Sequence, residues 1–165
     1  MDEEQDRDLK PSVQRVATAL RALGVAPQIV EFTESTRTAE DAARALGTSV
    51  ERIVKSLVFT AGGAPLLVLV SGVNRVAVDR LREALGVEVR RADASVVREA
   101  TGFAIGGVPP IGHATQLPVI LDRDLMQYEL VYAAAGTPNS VFPITPQDLH
   151  RITGARVLDV KEQAG

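Results

Sequence analysis

The heptapeptide Ile53-Val54-Lys55-Ser56-Leu57-Val58-Phe59 is β-branched and aromatic, and too short for a helix. Gly62-Gly63 follows, then the aliphatic run Leu66-Leu67-Val68-Leu69-Val70. The two runs predict a hairpin whose register is set by the Gly-Gly turn. Lys55 stands inside the first run. A lysine is seldom buried without a partner for its ammonium, because a bare charge in a dry place is lost or needs an anion. Two readings are open for it: a strand lysine whose head reaches water, or a cation awaiting an anionic ligand.

Outward from the hairpin, helical spacing and stop signals divide the chain. Val13, Val16, Ala17, Leu20 and Leu23 recur on one helical face, and Gly24 stops it. Residues 28–32 read as a short strand and 33–37 as a polar loop. Thr38 caps a helix over 39–46, with Asp41 in the place of the capping-box acid and Gly47 as the stop. Asp79 is expected to cap a helix ending at Leu85, and Asp93 one over 94–100. Short strands are expected at 87–90, 103–105, 119–121, 130–134, 141–144 and 157–160. Thr145-Pro146, cap then proline, opens a last helix over 147–152. Strands come in adjacent runs, not in strict alternation with helices. That predicts an α+β fold with a mixed, curled, partly barrel-like β-sheet surrounded by helices.

With 165 residues the chain is long enough for one substantial core, and 4% aromatic against 45% hydrophobic residues makes that core aliphatic. The expected layout is a disordered lead over 1–10, a single domain over 11–160 and a tail over 161–165. Without cysteine there is no disulfide, thiol nucleophile or thiolate metal site, and His113 and His150 have no ligand spacing, so no metal is expected. No Gly-x-Gly-x-x-Gly follows a strand and no Walker loop occurs, so no nucleotide cofactor is expected. The acidic start has no apolar segment typical of a secretory signal, and no apolar run reaches membrane length, which fits a cytoplasmic protein with no membrane partner. The net charge of −3 argues against non-specific coating of nucleic acid but leaves room for a local basic rim. Arg75, Arg80, Arg82, Arg90, Arg91 and Arg98 crowd one third of the chain; solvated helix faces paired with nearby carboxylates account for most of them.

A second stretch bears on Lys55. Gly106-Gly107-Val108-Pro109-Pro110-Ile111-Gly112-His113 carries three glycines and two prolines in its first seven residues. Glycine lets backbone approach a ligand, and proline stiffens its neighbours. Such a loop is either an ordinary structural turn or a rigid frame that aims N–H groups at an anion or a water. His113 just after it can act as an acid or base, or donate a structural hydrogen bond.

The order Ile-Val-Lys-Ser-Leu-Val-Phe, then Thr-Gly-Phe-Ala-Ile-Gly-Gly-Val-Pro-Pro-Ile-Gly-His from 101, Ala-Ala-Gly-Thr-Pro-Asn-Ser from 134 and Thr-Pro-Gln-Asp-Leu from 145 resembles the aminoacyl-tRNA deacylases related to the editing domain of bacterial prolyl-tRNA synthetase, the YbaK-like family. The resemblance runs from about Val13 to Val160 and has no synthetase body, so it implies a freestanding, trans-acting member. It implies hydrolysis of the ester of a mischarged amino acid on tRNA, assisted by the terminal adenosine hydroxyl, with no metal, cofactor or protein nucleophile. It implies catalytic roles for Lys55, at the phosphate of the terminal adenosine, and for Gly106 and Gly107 in the Gly-x-x-x-Pro loop ending at Pro110. Ser56, Val108, Pro109, Pro110, His113, Gly136 and Asn139 are the implied substrate-binding residues. Some relatives carry an aspartate or histidine in the late loop, where this chain has Asn139-Ser140-Val141. Without a charge there, a small uncharged amino acid is the expected substrate side chain. The expected partner is the acceptor end of aminoacyl-tRNA, with a synthetase as an optional second. A non-catalytic tRNA-end or nucleotide-binding module, and a protein partner of a synthetase, are the alternatives.

Overall fold

The structure is a computed structural model that describes residues 7–33 and 38–163. The hairpin forms as the sequence predicts, with both strands running on to the Gly62-Gly63 turn. Strand β2 (Val54–Ala61) pairs antiparallel with β3 (Ala64–Ser71), with Lys55 opposite Val70 and Ala61 opposite Ala64. Gly62 and Gly63 both take positive φ, 58° and 86°, as a two-residue turn between right-twisted strands requires. Beyond β3, β5 (Val119–Asp122) and β8 (Arg156–Leu158) add in parallel, and β4 (Val89–Arg91) pairs with the far end of β2, giving the mixed order β4-β2-β3-β5-β8. A second sheet holds β1 (Val30–Glu31), β7 (Ser140–Ile144) and β6 (Val131–Ala134) in the order β1-β7-β6. A parallel bridge from Ile53 to Tyr132 links the two sheets, and no ladder closes either into a barrel.

β3 is central and buried on both faces, which is why it reads as an unbroken aliphatic run. Leu67 and Leu69 enter the main core with Val54 and Val58 of β2, Val16 and Leu20 of helix α1 (Pro11–Ala22), and Phe142 of β7. Leu66, Val68 and Val70 face a smaller core with Phe59 and with Leu81 of helix α3 (Val78–Leu85).

Capping chemistry sets most helix starts. Thr38 Oγ1 accepts the Asp41 N–H at the start of α2 (Ala39–Leu46), Asp93 the Val96 N–H at α4 (Ala94–Thr101), and Thr145 the Asp148 N–H at α5 (Pro146–Thr153). α1 opens on Pro11 with no side-chain cap, and α3 departs from the cap expected of it. Its cap is Ala77, and Asp79 lies inside the first turn, 2.7 Å from Arg82. Here tertiary pairing outranks the side-chain cap: the Ala77 N–H is taken by the Val160 carbonyl at 2.7 Å, beside the Val76–Lys161 bridge.

Residues 103–105 form no strand. The Thr101 hydroxyl accepts the Phe103 N–H at 3.0 Å, and the Phe103 ring is buried beneath the Arg15 guanidinium, 4.4 Å from its centroid. The strand expected at 28–32 is only two residues long, and the last strand begins at Arg156 and ends at Leu158. Most of the loop expected at 33–37 lies outside the described residues.

Two loops meet across the open end of the main core. A Cβ on Gly107 would stand 2.9 Å from Thr137 Cα, and one on Gly136 would stand 2.7 Å from the Ser12 carbonyl oxygen. Gly136 also holds φ at 105°, a conformation that favours glycine. Gly136→Ala combines backbone strain with a backbone clash and is expected to cost roughly 2–4 kcal/mol, a fall in Tm of about 5–15 °C in a thermal melt.

Candidate functional site

β4 covers β2 only from Phe59 to Ala61, and β6 meets the start of β2 only through the Ile53–Tyr132 bridge, so the stretch between them on that edge is free of a strand. Backbone groups along a strand face its two edges in turn. The Gly72 N–H bonds the Ile53 carbonyl on the β3 side, and the Ala92 N–H bonds the Val58 carbonyl on the β4 side. Ser56 therefore presents its N–H and C=O at the uncovered edge. A cavity of about 310 Å³ opens there, lined by Lys55 and Ser56, by Thr38 and Ala42 at the start of α2, by Gly106 and Val108, and by Tyr132, Thr137, Ser140 and Val141.

Inside it the polar groups are few. The Ser56 hydroxyl is buried and has no hydrogen-bond partner among the described residues, at a cost of about 1–3 kcal/mol that a polar ligand atom would relieve. Gly106 and Val108 have N–H groups that bond nothing among the described residues, whereas the Gly107 N–H is held by the Ala104 carbonyl at 3.0 Å. Lys55 is the charged residue of the lining, and it is half-buried. Burial pulls its pKa below the ordinary lysine value; the Arg75 and Arg91 guanidiniums push the same way, against the carboxylates of Glu40 and Asp122.

The lysine head is held in place. Lys55 Nζ donates to the Asn74 carbonyl at 2.7 Å. The Asn74 amide in turn donates to Asp122 Oδ2 at 2.8 Å and to Asp124 Oδ2 at 2.9 Å. Asp122 is fully buried and also accepts the N–H groups of Ser71 and Asp124, each at 3.0 Å. Hydrogen bonds from Lys161 and from Asn74 hold the Asp124 carboxyl below the usual carboxylate range. Asp122 and Asp124 are not among the residues that the sequence singled out. What marks them is an acid at a strand end opposite a second strand's end, which becomes visible once β3 and β5 are paired.

The model for the aminoacyl-tRNA editing domain matches residues 33–152, a span that contains every residue of the cavity lining. The chain belongs to this family. The editing domain is 35% identical over 130 residues to the Bacillus subtilis protein YwhH, covering 78% of this chain and 83% of that one. It is 26% identical over 132 residues to EbsC of Enterococcus faecalis, proposed as a Cys-tRNA(Pro)/Cys-tRNA(Cys) deacylase, with 78% and 80% covered. A solved structure, described as a proposed trans-editing enzyme for prolyl tRNA synthetase, superposes with a TM-score of 0.91 at 49% identity, covering 94% of this chain and all of that one. Proline–tRNA ligases match as well; that of Thermoanaerobacter sp. is 31% identical over 104 residues, 61% of this chain and 18% of the ligase.

In the editing domain the residues singled out by sequence fall into three places. Lys55, Ser56, Gly106 and Val108 line the cavity. Gly107, Gly136 and Asn139 stand behind it: Gly107 and Gly136 allow the close approaches described above, and the Asn139 amide donates to the Phe32 carbonyl at 3.0 Å, tying β1 to the late loop. Pro110 and His113 line a different cavity, of about 280 Å³, with Leu117 and Ile152, while Pro109 is buried. His113 Nε2–H donates to the Pro109 carbonyl at 2.7 Å. His150 is exposed on α5. Thr38, Ala42, Tyr132, Thr137 and Ser140 were not anticipated; nothing in their local sequence signals a shared wall. No cluster of three or more His, Asp or Glu side chains suited to a metal occurs among the described residues, and no helix there is long and apolar enough to cross a membrane.

Burial lowers the His113 pKa, partly offset by the bond to Pro109. The unfolded chain therefore takes up a proton that the folded one resists. Stability should fall as pH drops through the ordinary value near 6.5, and level off once the folded ring is protonated. Thermal melts at about pH 7.5 and about pH 5.5 should show a smaller acid loss in His113→Gln than in the parent.

Proposed function

We propose that this editing domain is a hydrolase that deacylates mischarged aminoacyl-tRNA carrying a small uncharged amino acid, acting in trans in the cytoplasm. The observation that carries this reading is the lining of the Lys55 cavity: among the described residues it has one fixed cation, an unpaired buried hydroxyl and free backbone N–H groups on an otherwise uncharged wall. The family membership and the description of the solved relative support it.

In this reading Lys55 takes the phosphate of the esterified nucleotide. The amino acid enters between Ser56, Ala42 and Val141, where a long charged side chain would find no counter-charge. The ester carbonyl lies against backbone N–H groups of Ser56, Gly106 or Val108, which stabilise negative charge as water adds to the carbonyl carbon. The tetrahedral intermediate then collapses: the C–O bond to the ribose breaks, the amino acid leaves as its carboxylate, and of the two protons lost by water one ends on the departing ribose oxygen and the other in solvent. The neighbouring ribose hydroxyl assists. An ester is already activated, so positioning and charge stabilisation can supply much of the rate enhancement. Asn74 and Asp122 act as positioning residues for the lysine, and His113 as a support for the loop. A synthetase is an optional partner.

Single-turnover deacylation over a panel of aminoacyl-tRNAs tests both activity and specificity. Alanyl-, seryl-, threonyl- or cysteinyl-tRNA should be cleaved, and lysyl- and glutamyl-tRNA spared. Cleavage of the charged pair alone would overturn the specificity, and binding without turnover of any of them would favour a non-catalytic tRNA-end module.

Lys55→Ala should lower deacylation of the preferred substrate by about tenfold to a hundredfold, the worth of one charge-assisted contact. Its melt should stay near that of the parent, because the stem is at a cavity rim and no buried charge is left unpaired. Arginine should rescue only partly, since its fork places the charge elsewhere. A normally folded Lys55→Ala protein with the parent rate would remove the lysine from the mechanism.

A further inference from the structure

Lys55 also closes one end of a second cavity, of about 340 Å³, on the face of β2 that carries Leu57 and Phe59. Arg75 and Arg91 line it, with Val76 and Val78 as further apolar wall and Glu162 as its carboxylate.

The arginines crowded between residues 75 and 98 separate into two groups. Arg80 pairs with Asp159 at 2.7 Å, Arg82 with Asp79 at 2.7 Å and Glu88 at 2.9 Å, and Arg90 with Glu88 at 3.8 Å. Arg75, Arg91 and Arg98 have no carboxylate within ion-pair distance among the described residues, and of these Arg75 and Arg91 line this cavity. Arg91 lies over the Phe59 ring, 5.8 Å from its centroid. Arg75 is fixed through its main chain: its carbonyl accepts the Glu162 N–H at 2.8 Å, and it follows Asn74, whose carbonyl holds Lys55. Lys161 is turned to Asp124, at 2.9 Å. Three cations thus share one groove with a single exposed carboxylate, an excess of positive charge that a bound anion would offset. Unpaired guanidiniums beside an apolar floor suit a single-stranded polynucleotide, whose phosphates need cations and whose bases and riboses need apolar surface.

We infer that this second cavity is a subsite for the single-stranded 3′ end of the tRNA, with phosphodiester groups upstream of the esterified nucleotide on Arg75 and Arg91. The inference rests on the deacylase reading of the Lys55 cavity, which lies on the other side of the same lysine. The ester and its nucleoside occupy one cavity, the preceding nucleotides the other, and Lys55 stands at the phosphate between them.

Two substrates separate the subsite from the reaction: full aminoacyl-tRNA, and the same amino acid esterified to adenosine alone, which has no upstream phosphate. Arg75→Ala and Arg91→Ala should each lose about tenfold in kcat/KM on aminoacyl-tRNA, chiefly through KM. The dependence of log kcat/KM on log salt should flatten by about 0.7 per arginine removed. On aminoacyl-adenosine the loss should be absent, and Arg91→Lys should keep most of the salt slope. Arg98→Ala, exposed and outside both cavities, controls for net charge. Unchanged rates and slopes on aminoacyl-tRNA would overturn the subsite and leave the deacylase standing. Equal losses on both substrates would also overturn it, by placing the arginines in the ester cavity. Binding of fluorescent uncharged tRNA, with and without its single-stranded 3′ nucleotides, reads the subsite apart from turnover. If the parent cleaves neither ester, the deacylase reading fails, and binding that needs both the 3′ nucleotides and the two arginines is then what upholds the subsite. Binding indifferent to either would end it.

Discussion

The register of the β2–β3 hairpin is the constraint on which the rest of the structure depends. A strand alternates its side chains between two faces, so Lys55 and Ser56 go to opposite sides of the sheet. A slip of one residue would exchange them and turn Val54 and Val58 out of the main core. Gly62 and Gly63 prevent the slip, because only a residue tolerant of positive φ closes a two-residue turn here. Between the Ile53–Tyr132 bridge and β4, the outer edge of β2 around Ser56 has no strand neighbour. An uncovered strand edge is usually a liability; here the two loops and the start of α2 roof it over, and the result is a cavity with backbone donors in its wall.

A strand lysine needs a second device, and the Asn74–Asp122 network supplies it. Asp122 is buried and satisfied by three donors, from the end of β3, from Asn74 and from its own turn. It joins the ends of two parallel neighbours, β3 and β5, to the turn that carries the acceptor for Lys55. The ammonium is therefore oriented by a carbonyl while its charge is left without a direct carboxylate partner. That arrangement favours an anion arriving from either of the cavities that meet at this residue. The structure shows the Lys55 head half-buried and held by the Asn74 carbonyl.

Much of the fold was legible because local chemistry and tertiary structure agree. Thr38, Asp93 and Thr145 cap the helices they precede, and the glycines after α2, α3, α4 and α5 end them in the left-handed conformation. Where they disagree, tertiary pairing wins. Asp79 does not cap because the helix has already begun, the Ala77 carbonyl accepting the Arg80 and Leu81 N–H groups while Val160 anchors Ala77, and Phe103 is not in a strand because Thr101 takes its N–H. Of the site, the motif residues Lys55, Ser56, Gly106 and Val108 do meet. His113 and Pro110 follow the same loop but face another cavity, since the prolines turn the chain away.

By itself the sequence determined the hairpin, the helix limits, the aliphatic core and the family resemblance, because each is written in residues close together along the chain: a glycine pair, a cap, a period of two or of 3.6. Only the tertiary structure decided which edge of β2 stays open, which carboxylates neutralise Arg80, Arg82 and Arg90 and leave Arg75 and Arg91 unpaired, and that Asp122 anchors the turn holding Lys55. Those are pairings across tens of residues, set by how sheets and helices pack. An arginine's local sequence carries no mark of the carboxylate that packing will, or will not, bring within reach.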